Sequence, residues 1–276
     1  DDYAVAQMAK ALHDSCQDAA LRQKYLVDYN DLMRRSENWR NVINSATGWA
    51  DGRYENGKWE NNEDLVHRKS YITEGATCHY TWYVPQNPEG LFEVIRNSKP
   101  MDKQEKQIEK MERKMEKKGE IPVRNEKVIA RLDKMFDNGW YWHGNEPCHQ
   151  VAYLYDAAGA PEKTQERVHH ILQTEYNDTP GGLSGNDDAG QMSAWYMFAA
   201  MGFYPVCPST PYYIIGSPSF DRVTFNLENK KQFEIIRKKS INNSNFVRLI
   251  LNGKQLDNCQ LSHGDIINGG KLIVEE

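Results

Sequence analysis

The feature that most constrains this chain is a change of periodicity near Gly202. Upstream of it, apolar residues recur at the spacing of one helix face. Downstream, short β-branched or aromatic runs alternate with turn residues. Residues 3–35 show the first pattern, with Val5, Met8 and Leu12 and then Leu21, Tyr25, Tyr29 and Leu32, which predicts two helices joined near Gln17–Asp18. The pattern returns between Glu126 and Met201, broken by Gly139, the Gly144–Pro147 turn, Gly159–Pro161 and the Pro180–Gly185 turn. The second pattern covers Tyr212–Ile215, Arg222–Leu227, Gln232–Arg237, Phe246–Leu251 and Lys271–Val274, separated by Asn-Gly, Gly-Gly and Ser/Asn turns. Helices first and strands afterwards argue against βαβ winding. The expectation is a mainly α region at residues 1–205 followed by a C-terminal β module at 206–276.

Two segments stand apart. NSATGWADGRYENGKW, inside the stretch Trp39–Lys58, mixes turn residues with aromatics and reads as an ordered loop laid over a surface. MDKQEKQIEKMERKMEKK has apolar residues only at Met101, Ile108, Met111 and Met115, and predicts a solvated helix with a narrow apolar stripe. Its glutamates cancel its lysines, so it offers no basic face. The whole chain carries 34 Lys+Arg against 39 Asp+Glu, a formal charge of -5, which argues against nucleic acid as the main partner. A mean hydropathy of -0.79 and the lack of any apolar run near the ~18 residues a bilayer requires argue against a membrane span. Five cysteines, an odd number with no CxxC pair, are expected as buried or half-buried free thiols rather than zinc or redox motifs. The opening DDYAVAQMAKAL starts in mid-helix with no signal-peptide pattern, which suggests a piece of something longer.

Three loops concentrate carboxylates, amides and aromatics next to glycine. YITEGATCHYTWYVP holds Glu74, His79, Tyr80 and Trp82. NGWYWHGNEPCHQ holds Trp140, Trp142, His143, Asn145, Glu146 and His149. GGLSGNDDAGQMSAWYMF holds Asn186, Asp187, Asp188, Gln191 and Trp195. Each is expected to open a helix, and helix capping accounts for one acid or amide in each. Capping does not account for three neighbouring ones between glycines. Tryptophans beside carboxylates fit a sugar site, where aromatic faces stack on pyranose C–H groups and carboxylates act as acid and base.

HGNEPCHQVAYLYDAAGAPEKTQ and GNDDAGQMSAWYMFAAMGFYPVCP closely resemble signature stretches of glycoside hydrolase family 92, the calcium-dependent, inverting exo-α-mannosidases. EGATCHYTWYVP, NSATGWADGRYENGKW and the tail from SPSFDRVTFNL to INGGKLIVEE are similar to further parts of that family, so the resemblance runs from about residue 24 to the end. It implies part of an (α/α)6 barrel, followed by strands that pack with an N-terminal β-sandwich not contained in this chain. About 205 residues at the usual helix length supply about eight or nine of the twelve barrel helices. The resemblance also implies a mannose-containing glycan as substrate, export from the cytoplasm, and a fragment that is inactive alone and self-associates.

By the same resemblance, Glu74 is the general acid and Asp188 the base, with Asp187 in reserve. An inverting pair stands about 6.5–9.5 Å apart. Glu74 must stay protonated, for which Trp82 and Tyr80 are candidate apolar neighbours. Trp82, Trp142, His143, Asn186 and Gln191 are the candidate sugar-binding residues, and Asn145 and Glu146 the candidate calcium ligands, oxygen donors of the kind a hard cation prefers. His143 and His149 also have the ordinary reading of satisfied hydrogen-bonding residues. The chain departs from the family pattern at Ala76, Thr77 and His79, which alters leaving-group contacts. It also runs directly from Leu132 to Gly144 without a longer insert, which leaves α-1,2, α-1,3 and phosphodiester linkages open. A non-catalytic carbohydrate-binding or structural helical module, or another (α/α) barrel enzyme, is the alternative.

Overall fold

The computed structural model describes residues 1–61, 63–120, 124–239 and 248–275. Helices α1 (Asp2–Ser15) and α2 (Ala19–Arg35) meet where sequence places the break. There the Asp18 carboxylate accepts hydrogen bonds from the N–H groups of Ala20 and Leu21, each at 2.9 Å, pairing donors that a helix start leaves orphaned. The stripe that predicted α1 faces outward: Val5, Met8 and Leu12 are exposed, and α1 buries only Ala6 and Ala9.

The stretch after α2 is ordered, as expected, and contains a hairpin. Strand β1 (Ile43–Asn44) pairs antiparallel with β2 (Trp49–Ala50), all four residues buried. Helices α3 (Thr77–Tyr80), α4 (Pro88–Asn97), α5 (Lys103–Lys117), α6 (Glu126–Asp137), α7 (Leu154–Ala157), α8 (Pro161–Thr174) and α9 (Gln191–Met201) follow. Leu91, Phe92 and Ile95 of α4 pack with Val128, Ile129, Leu132 and Met135 of α6 to form the largest apolar cluster.

Helix α5 is solvated along its length as expected, with Glu105 as its one buried residue. Glu105 is fully buried and so is Arg131 of α6. The Arg131 guanidinium donates to both Glu105 oxygens at 3.2 and 3.1 Å, to Ser98 Oγ at 3.0 Å and to the Thr47 carbonyl at 2.8 Å. Two charges withdrawn from water persist only when paired and hydrogen-bonded to this degree. The same guanidinium lies 5.3 Å from the Trp49 ring centroid, so the ion pair also clamps the hairpin.

Strand structure begins at β3 (Phe203–Tyr204) and continues through β4 (Tyr212–Ile215), β5 (Arg222–Asn226), β6 (Gln232–Lys238), β7 (Arg248–Leu251), β8 (Lys254–Gln255), β9 (Gln260–Ser262), the short helix α10 (His263–Ile267) and β10 (Gly270–Glu275). Phe246, where sequence starts one strand, lies outside the described residues. One sheet runs β5-β6-β10-β7-β8 and another β3-β4-β9. In the first, β10 is parallel to β6 and antiparallel to β7, placing Leu272 opposite both Ile235 and Leu251. Alternate residues Phe233, Ile235, Leu272 and Val274 are buried, the period of two that a one-sided sheet requires. Asn252 and Gly253, at φ 49° and 83°, make the left-handed turn that joins β7 to β8. Phe198 and Met201 of α9 pack against this β core beside Phe203, so the helical region and the strands share α9. No helix among the described residues is long and apolar enough to cross a membrane.

Candidate active site

The three glycine-bearing loops converge. Gly144 and Gly185 touch backbone to backbone: a Cβ on Gly185 would stand 2.3 Å from the Gly144 carbonyl oxygen, and one on Gly144 would stand 2.5 Å from the Ser184 carbonyl oxygen. Only residues without side chains permit that approach, and it sets Asn145 and Glu146 beside the loop of Asp187 and Asp188. The first loop is tied on by Asn145, whose Nδ2 donates to the Glu74 carbonyl at 3.4 Å while its Oδ1 accepts from the Glu146 N–H at 3.1 Å. His79 adds a second tie, donating from Nε2 to the Trp140 carbonyl at 2.8 Å and accepting at Nδ1 from the Ala76 N–H at 3.1 Å.

Both candidate catalytic carboxylates sit on left-handed backbone, Glu74 at φ 62° and Asp188 at φ 49°. Ala189 and Gly190 follow at 59° and 93°. Each non-glycine residue so placed costs about 1–2 kcal/mol, strain of a kind that gathers at functional sites. The Glu146 carboxyl is pushed above its ordinary value, first by burial and then by a hydrogen bond with Asp188 and by the negative charges of Asp188 and Glu74. Glu146 thus senses both other acids.

Not every residue named from sequence reaches this cluster. Trp82 is fully buried, packed edge-on against Trp49 with ring centroids 6.1 Å apart. The turn of α3 directs it inward, so it neither stacks on a sugar nor covers Glu74, which is exposed. Trp142 is the exposed tryptophan, at 41%, with its indole against Gly144. His143 is fully buried and spent internally. The Tyr176 hydroxyl donates to the Met192 carbonyl at 3.0 Å, so His143 Nε2 donates to Tyr176 at 2.6 Å, and its Nδ1 accepts from the Tyr141 hydroxyl at 2.7 Å. Burial, followed by the neighbouring His149, pushes the His143 imidazole down to about 3. His149 falls to about 4 through burial. These rings are neutral struts, and the reading of His143 as a sugar contact is corrected to that.

Asp187 holds the start of α9, its Oδ1 accepting from the Ser193 N–H and Oγ, both at 2.9 Å. Gln191 reaches His149 Nδ1 at 3.4 Å. Asn186 and Asp188 are exposed. Tyr176 gave no signal in the sequence, because its role depends on a fold that carries it back to His143. Only the third loop opens a long helix; the first opens the single turn α3 and the second a 3-10 turn at Glu146–Cys148. All five cysteines are free thiols.

The Glu146 carboxylate and the Asn145 amide oxygen are donors of the kind a hard cation takes. Among the described residues no three His, Cys, Asp or Glu side chains converge as a metal cage.

The chain aligns with a protein of Arthroderma benhamiae named an uncharacterized secreted glycosidase, at 27% identity over 272 residues, covering 89% of this chain and 32% of that one. Its fold superposes on that of a family GH92 α-mannosidase of Bacteroides thetaiotaomicron with a TM-score of 0.76 at 35% identity, covering 99% of this chain and 33% of the other. A family GH92 inverting mannosidase from the same organism gives 0.73 at 29% identity, covering 99% and 35%. The chain therefore spans about a third of the length of these relatives. Residues 1–275 match the glycosyl hydrolase family 92 catalytic domain, and the chain belongs to that family.

Proposed function

We propose that this chain is the helical and C-terminal strand portion of an exported, inverting, calcium-assisted exo-α-mannosidase that removes terminal α-linked mannose from glycans. The observation that carries the reading is the backbone contact of Gly144 with Gly185 together with the Asn145 hydrogen bond to the Glu74 carbonyl, because an acid–base pair drawn from separate loops requires those loops to meet at one place. In this reading residues 1–205 belong to an (α/α)6 barrel completed by other parts of the protein, and residues 206–276 pack with an N-terminal sandwich.

Glu74 gives its proton to the departing glycosidic oxygen, and Asp188 takes a proton from the water that attacks the opposite face of the sugar. Trp142 supplies the stacking face, with Asn186 and Gln191 at the same mouth. Asn145 and Glu146 would hold calcium, whose charge would offset the crowding of acids and bind sugar hydroxyls. The secreted glycosidase among the relatives supports export. A binding module gains nothing from strained backbone under two separate acids, which favours the enzyme reading.

The test is mannose release by the full-length protein from α-1,2-, α-1,3- and α-1,6-mannobiosides, with the first-formed anomer read by proton NMR. β-Mannose is expected. α-Mannose would show retention, and no release from any of these or from a mannosyl phosphodiester would remove the mannosidase reading.

A further inference from the structure

Glu74 holds left-handed backbone at φ 62°, a conformation that a glutamate keeps only where its surroundings impose it. Here the chain is fixed at three successive residues. Before the acid, the Tyr80 hydroxyl donates to the Thr73 carbonyl. At Glu74 itself, the carbonyl accepts from Asn145 Nδ2 at 3.4 Å. After it, the Tyr80 ring lies so close to Gly75 that a Cβ there would stand 2.7 Å from Cε2 and 3.2 Å from Cδ2. Tyr80 supplies two of these three points, one with its hydroxyl and one with its ring.

It can do so because of where the chain turns. Tyr80 closes the single turn α3, its N–H donating to the Ala76 carbonyl at 3.3 Å, so its side chain reaches back over the residues that lead into the turn. His79 accepts from the Ala76 N–H at 3.1 Å and ties the same turn to Trp140. The loop thus folds back on its own tyrosine, with Glu74 at the bend. Burial and then the Glu74 charge push the Tyr80 hydroxyl above its ordinary value, so at neutral pH it keeps the proton it donates to Thr73. The Asn145 side chain lies against the same hydroxyl, which links this brace to the loop of Glu146. Glu74 is exposed, so its direction is set by the backbone beneath it rather than by packing around its side chain. Direction matters for a general acid, whose oxygen must come within hydrogen-bond reach of the oxygen it protonates.

We infer that Tyr80 is a positioning residue for Glu74, its hydroxyl and ring holding the left-handed bend that aims the carboxyl at the departing oxygen. The assignment rests on the mannosidase reading and adds to it the residue on which general-acid assistance depends. Full-length protein is compared with Tyr80→Phe, which keeps the ring and removes the bond to Thr73. The two substrates are the mannobioside that the unchanged protein cleaves best and a dinitrophenyl α-mannoside, whose leaving group needs no proton. The variant should lose about tenfold to a hundredfold in kcat on the mannobioside and keep its rate on the aryl mannoside. In a Glu74→Gln background, Tyr80→Phe should bring no further loss on the mannobioside, because the group it positions is gone. A tyrosine that merely stabilised the fold would lower both rates and would do so in either background. Equal loss on both substrates, no loss on either, or a further loss beside Glu74→Gln overturns the assignment and leaves the mannosidase reading standing. If the unchanged protein cleaves no mannobioside, the assignment falls; the mannosidase reading falls with it only if mannosyl phosphodiesters are also untouched.

Discussion

The backbones of Gly144 and Gly185 are in direct contact, and through that contact the loop carrying Glu146 and the loop carrying Asp188 become a single surface. A methyl group at Gly185 would overlap the Gly144 carbonyl. Gly185→Ala is therefore expected to lower stability by about 1–3 kcal/mol through overpacking and to cut turnover of the full-length protein by about a hundredfold through misplacement of the acids. Thermal unfolding with parallel kinetics checks both, and a variant with unchanged activity would show that the two loops are positioned by other contacts.

Replacing the two acids separates their roles. Glu74→Gln should slow sugar leaving groups most and activated aryl mannosides least, since a good leaving group needs no proton, while Asp188→Asn should slow all substrates alike. Uniform losses for Glu74→Gln would place the acid elsewhere.

Metal removal is a third test. Full-length protein in excess EGTA should lose activity and regain it with calcium but not with zinc, which favours nitrogen and sulfur donors. Full turnover by protein shown to be metal-free would remove calcium from the mechanism.

The buried pair Glu105–Arg131 should dominate acid stability in the helical region. Burial alone would raise the Glu105 carboxyl, but the Arg131 hydrogen bond and charge hold it below its ordinary value of 4.5. A carboxyl depressed in the folded state stabilises the protein above its unfolded pKa and loses that contribution as pH falls through the folded one. Arg131→Met should cost about 3–5 kcal/mol by stripping the fully buried Glu105 of its main partner and leaving it Lys134 as its remaining cation, at 3.1 Å. The double variant with Glu105→Met should recover most of that and lose the pH dependence below about 4.5. Chemical denaturation across that pH range reads both effects, and an unchanged acid profile in the double variant would contradict the assignment.

The outward stripe of Val5, Met8 and Leu12 predicts that the 276-residue chain by itself self-associates and has little or no mannosidase activity. Light scattering after size exclusion should show oligomers that Met8→Lys with Leu12→Lys disperses. A well-behaved, fully active monomer would show that the acids of this chain suffice alone.

Much of this architecture is legible from periodicity. Tyr212–Ile215 forms as a strand with the expected bounds, and the α1–α2 break falls at Asp18. The elements that sequence misses are short or polar: β8 and β9 carry too few apolar residues to register, and α10 announces itself only through the Ser262–Asp265 capping pair. Loop composition brings Glu74, Glu146 and Asp188 forward as candidates, because glycine, acid and aromatic together exceed what a helix start needs, and the structure places their three loops side by side. It misleads at Trp82 and His143, since residue type alone does not say whether a ring faces water or core. Glu105 is invisible for the same reason, one glutamate among many on a charged helix whose inward side is set by Arg131.

The bond from Arg131 to the Thr47 carbonyl spans 84 residues of chain, and this bears on the order of folding. The β1–β2 hairpin is too short to hold its shape alone, and its clamp closes a loop whose entropy must be met before the contact gives anything back. During synthesis the segment leading to Glu74 emerges well before α6. The hairpin thus waits, unfinished, until the ribosome has delivered the arginine that secures it.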